Sequence, residues 1–144
     1  MQREQLVAGK CLYNLKTGEN YKILYLDWPE NVIYAVELGK TIAYPVALTA
    51  GKVLEADMEV RNDEMEVRDV STASPKQLEE LESRWALIRA FVLDEPACYQ
   101  KKVRSTFAAE TAKREECTVY RINQMLYRYW SGGKRKEALL PDLE

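Results

Sequence analysis

The spacing of apolar side chains changes once along the chain. Up to about residue 70 they come in short runs rich in β-branched and aromatic residues; from residue 75 they recur every three or four positions. The first pattern predicts strands and the second predicts helices. YKILYLDW (21–28) and VIYAVEL (32–38) read as two strands joined through the short Pro29-Glu30-Asn31 connection of a hairpin. An earlier strand over 10–15 is separated from them by the turn Thr17-Gly18-Glu19-Asn20. A fourth, over 41–48, contains Pro45 and is expected at an edge or bulge. Segments 53–60 and 64–70 are expected to add further short strands. About five such strands predict a small closed β-barrel, SH3-like, over residues 1–70.

Residues 71–74 read as a linker. Ser74 is a good N-cap, Pro75 suits the first helical position and Gln77 completes a capping box. Leu78, Leu81, Trp85, Ile88 and Val92 then form one apolar stripe, with Glu80 and Arg84 paired on the outer face, until Asp94-Glu95-Pro96 stops the helix. A second helix is predicted over 100–113, burying Val103, Phe107, Ala108 and Ala112. A third follows over 119–130, with Thr118 as its N-cap and Ser131-Gly132-Gly133 at its end. The fold class is therefore α+β: the barrel, then a three-helix domain over 75–144.

Ala112, Cys117, Ile122 and Met125 are spaced so that the second and third helices share one small core, as in a helix-turn-helix. The outward face of the third helix then carries Tyr120, Arg121, Asn123, Gln124 and Arg128. In such a motif the start of the second helix enters the major groove, which aims Val119, Tyr120, Arg121 and Gln124 at base edges. Arg121 suits guanine O6 and N7; Gln124 suits adenine N6 and N7. Lys101, Lys102, Arg104, Thr118, Arg128, Lys134, Arg135 and Lys136 are the expected phosphate contacts. Glu116 stands at the turn position where glycine is usual, with Glu115 beside it. Tyr127, Tyr129 and Trp130 invite base stacking, yet Tyr129 or Trp130 at least is expected in the core. The bland alternative is a plain helical bundle with a solvated polar face.

The formal net charge of −2 conceals an uneven distribution. Residues 1–73 hold 8 Lys/Arg against 12 Asp/Glu, whereas 101–136 hold 10 against 3, so a phosphate backbone would meet a positive local field. The absence of histidine removes the common acid–base and triad arrangements, and no glycine-rich phosphate loop follows a strand. No catalytic residue is assigned, and the chain is not expected to be an enzyme in itself. Cys11, Cys98 and Cys117 lie far apart and read as reduced, mostly buried thiols of a cytoplasmic protein. Glu55, Asp57, Glu59, Asp63, Glu64, Glu66 and Asp69 read as a solvated acidic rim rather than a metal site, since no calcium-loop spacing is present. Neither a signal peptide nor a membrane span is expected.

The run TVYRINQMLYRYWSGGKRKEALLPDL resembles the segment of TnsB-type transposases that ends in a Tyr-Trp pair, a Gly and an Ala-Leu-Leu/Ile-Pro-Asp sequence. VRSTF, from Val103 to Phe107, is similar to the start of that family's helix-turn-helix, and GENYKIL resembles its strand-rich opening. The resemblance implies only the N-terminal, DNA-binding part of a Mu-like DDE transposase. It further implies a separate ribonuclease-H-like domain with three acidic ligands for divalent metals, Mg among them. No cofactor is expected in the residues in hand. Implied partners are double-stranded DNA with repeated sites at transposon ends, and other transposition subunits, in a bacterial, nucleoid-associated setting. The sequence stopping just after Pro141-Asp142 reads as an excised piece, with Leu143-Glu144 as candidate vector residues. Two rival readings stay open: a protein-interaction module docking a transposition subunit, and a stand-alone helix-turn-helix repressor.

Overall fold

A computed structural model describes residues 1–62 and 68–142. The chain divides into two compact units, Met1–Glu64 and Met65–Glu144. The class is α+β: a curled, five-stranded antiparallel half-barrel precedes a helical unit.

In the sheet unit, β1 (Cys11–Asn14), β2 (Asn20–Asp27), β3 (Val32–Glu37), β4 (Val46–Thr49) and β5 (Met58–Arg61) are ordered β4-β3-β2-β1-β5. The β2–β3 hairpin turns at Asn31, which adopts φ 58°, a conformation its short amide side chain tolerates. β4 begins directly after Pro45 and lies at a sheet edge, where a residue without an N–H costs no ladder bond. Segment 53–60 departs from expectation. Ala50–Glu55 forms a short helix, α1, and only Met58–Arg61 pairs as a strand, against β1. Ala50 and Val53 fall on one face of that helical turn and drop into the core with Leu6, Leu12, Ile23 and Ile33. Of the predicted 64–70 strand, residues 64–67 lie outside the described residues, and 68–70 are not a strand.

The helical unit contains α2 (Pro75–Val92), α3 (Lys101–Arg114) and α4 (Val119–Ser131). Ser74 and Gln77 make the reciprocal capping box at the start of α2, at 3.1 and 2.8 Å. The Thr118 hydroxyl accepts from the Arg121 amide at 3.1 Å at the start of α4. Each such cap typically contributes ~1 kcal/mol. Leu81, Ile88 and Val92 bury the α2 stripe; Trp85 packs half-buried against Tyr129, and Leu78 is exposed.

The phase of α3 corrects the predicted one. Arg104, Ala108, Thr111 and Ala112 face inward, while Val103 is 43% exposed. Phe107 stacks on Phe91 at 4.1 Å, and Arg104 takes the inward position that hydrophobicity alone would give to Val103. After α4 the chain turns at Gly133 (φ 92°) and Lys134 (φ 60°) and runs back as a strap over residues 136–142, burying Leu139 and Leu140. Gly132 permits that return, because a Cβ there would collide with the side chain of Ala138 and the Arg128 carbonyl.

Candidate nucleic-acid interface

α3 and α4 are joined by a short turn over residues 115–118. Ala112, Ile122 and Met125 are buried together and Cys117 is half-buried, its amide donating to the Ala112 carbonyl at 3.0 Å. Glu116 adopts φ 54°, so the turn does need the left-handed conformation that glycine provides without cost.

α4 is two-sided along its length. Its last two turns are enclosed: Met125, Leu126, Tyr127, Tyr129 and Trp130 are all at most 5% exposed. Its first turn is open, with Val119 at 44%, Tyr120 at 53% and Arg121 exposed. Asn123, Gln124 and Arg128 are half-buried on the flank. Tyr127, Tyr129 and Trp130 are thus core residues rather than stacking platforms; Trp130 lies 5.8 Å from the Tyr99 ring.

The expected phosphate contacts divide. Lys101, Lys102, Thr118 and Arg135 are exposed. Arg104 is a correction: at 6% exposure it belongs to the interior face of α3. Lys134 and Lys136 are each drawn into an ion pair, Lys134 with the largely enclosed Glu95 and Lys136 with Glu82, which is 63% exposed. Glu95 is a local hub, because its carboxylate also accepts from the Tyr99 hydroxyl. Burial first, then the Glu95 charge, pushes the Cys98 thiol up to about 12. Burial and the hydrogen bond to Glu95 raise the Tyr99 phenol in the same direction, which keeps both groups neutral and structural.

On the α2 side of α4, a cavity of about 80 Å³ is lined by Arg84, Arg121, Gln124, Met125 and Arg128. Arg84 Nε and Arg121 Nη2 both reach Glu80 Oε1, at 3.3 and 3.4 Å. Arg128 Nη2 reaches Asp142 Oδ2 at 3.2 Å, and Arg68 Nη1 reaches Asp142 Oδ1 at 3.1 Å. Arg84 and Arg68 also donate to the carbonyls of Leu139 and Leu140, so the strap is held by the same guanidiniums. The sequence reading missed Arg68 and gave Arg84 only an outward pair with Glu80. No periodic signal marks either, since their other partners arrive on the strap.

Of the acidic rim, Asp63, Glu64 and Glu66 lie outside the described residues. Glu59 pairs with Arg61, and Asp69 accepts from the Ser71 amide. Among the described residues, no three His, Cys, Asp or Glu side chains converge as metal ligands, and no helix is long and apolar enough to cross a membrane. No curated protein matches the chain. Residues 81–143 match the family model described as the TnsB second domain, consistent with the N-terminal DNA-binding region of a TnsB-type transposase.

Proposed function

We propose that this chain binds double-stranded DNA sequence-specifically at transposon ends and positions a transposase whose catalytic domain is separate from these residues. The observation that carries the reading is the open first turn of α4, on a helix whose later turns are fixed in the core. A helix whose later turns are fixed can present its open N-terminal turn to a major groove, with only Arg121 having to leave Glu80. Val119 offers a methyl-bearing surface to thymine, Arg121 and Gln124 supply bidentate donors or acceptors, and Tyr120 adds a hydroxyl. Lys101, Lys102, Thr118 and Arg135 anchor flanking phosphates, joined by Arg128 once it leaves Asp142. Divalent metals belong, on this reading, to the separate catalytic domain, and other transposition subunits to the assembled complex. One module of this size buries too little surface for tight specific binding, so repeated sites and further DNA-binding domains are expected.

Mobility shifts on end-sequence and random duplexes test it. Arg121→Ala is expected to lower the preference for the end sequence by about tenfold, within the ~1–3 kcal/mol of one bidentate base contact. Arg135→Ala should weaken both duplexes equally and flatten the salt dependence by about 0.9 in log–log slope. Equal losses for Arg121→Ala would remove this register of α4. Failure of the native chain to retain plasmid DNA on a filter at low salt would remove the DNA reading and favour an interaction module.

A further inference from the structure

We propose that Arg84 and Arg128 form a seat for one backbone phosphate of a duplex, held shut in the free chain by Glu80 and Asp142. The inference rests on the DNA-binding reading and assigns a site within it. Three guanidiniums converge on a cavity of about 80 Å³, and like charges are brought that close at a cost unless an anion answers them. Two carboxylates answer at present, and neither does so well. The contacts to Glu80 and to Arg128 run 3.2–3.4 Å and use single oxygens, longer than the ~2.7–2.9 Å of a strong charge-assisted bond. Both carboxylates are also shared, Glu80 between Arg84 and Arg121, and Asp142 between Arg128 and Arg68.

Exposure points the same way. The Arg84 side chain is 17% exposed and fixed by its bond to the Leu139 carbonyl, whereas Glu80 is 42% and Asp142 70% exposed. Arg84 is therefore preorganised, Arg128 stands beside it at 33% exposure, and the anions over them are solvated and replaceable. A phosphodiester offers two oxygens to the same fork geometry and releases counterions as it binds, which a tethered carboxylate does not. Because Glu80 also holds Arg121, filling the seat frees that side chain for the groove.

The test uses the native chain, a random-sequence 20-base-pair duplex and inorganic phosphate. Fluorescence anisotropy at several salt concentrations follows the duplex; the Arg84 Nε–H resonance follows phosphate. Glu80→Gln should tighten duplex binding by roughly three- to tenfold, a size expected from one surface charge. Glu79→Gln, which removes the same charge one position along α2, should change it far less. Arg84→Gln should weaken random and end-sequence duplexes alike and lower the salt slope by about 0.9. A gain from Glu80→Gln no larger than from Glu79→Gln overturns the seat, and unfolding cannot imitate that gain. An unchanged slope for folded Arg84→Gln also overturns it, while leaving DNA binding by the native chain intact. A resonance that moves with inorganic phosphate but not with duplex reassigns the seat to a free anion and overturns the proposal. No duplex binding by the native chain removes both readings together.

Discussion

The two units differ in what several of their arginines touch besides carboxylates. In the sheet unit, Arg3 lies over the Trp28 ring at 4.1 Å and Arg61 over Tyr13 at 3.8 Å, so each cation covers the fold's own aromatic surface, although Arg61 also reaches the exposed Glu59 at 3.3 Å. In the helical unit, Arg84, Arg121 and Arg128 meet exposed carboxylates at 3.2–3.4 Å. A guanidinium on a ring is committed, because leaving would uncover the ring. A guanidinium on a solvated carboxylate exchanges one anion for another at little cost. The contrast teaches that a basic count alone does not locate a nucleic-acid surface; what each cation now touches does.

Four substitutions probe that contrast. Trp130→Ala should have the largest effect, about 3–5 kcal/mol lost from the helical unit by cavity formation under α4. Urea unfolding followed by amide resonances should show β2 and β3 retained after α4 is gone. Joint loss of both signals would erase the distinction between the units. Gly132→Ala comes next, at about 1–3 kcal/mol, because its methyl group must displace Ala138. Faster hydrogen exchange at the Leu140 amide, which donates to the Glu137 carbonyl, would report the strap lifting and Asp142 leaving Arg128. Unchanged exchange would show that the strap does not depend on that close approach.

Glu116→Gly should act in the other direction. Removing the Cβ at φ 54° relieves left-handed strain, and about 0.5–1 kcal/mol should remain after the added chain entropy of glycine. A higher melting temperature with unchanged duplex affinity is the expected pair of results. Arg61→Leu is the smallest and most direct test. It should cost the sheet unit about 0.5–1 kcal/mol and leave duplex binding unaltered. A marked loss of duplex affinity from Arg61→Leu would show that the ring-bound arginines also face nucleic acid, and the contrast would fail.

Much of this was legible beforehand wherever the deciding interactions are local. The Ser74–Gln77 box, the Thr118 cap and the strained turn at Glu116 each involve residues within a few positions of one another. The strands at 21–28 and 32–38, and the edge position after Pro45, were readable for the same reason. Residues 50–55 were not, since a six-residue helix leaves too short a pattern to separate from a strand before the core selects one.

By itself, then, the amino-acid sequence determined the change from strands to helices, the β2–β3 hairpin, and the caps of α2 and α4, all properties of neighbouring residues. Tertiary structure alone decided which face of α3 turns inward, burying Arg104 and exposing Val103. It alone brought Arg121 to Glu80, 41 positions away, and Arg68 to the Leu140 carbonyl, 72 away. The physical reason is that a charged side chain's partner is set by which surfaces pack together. Packing is a property of the assembled core, carried by no single window of the chain.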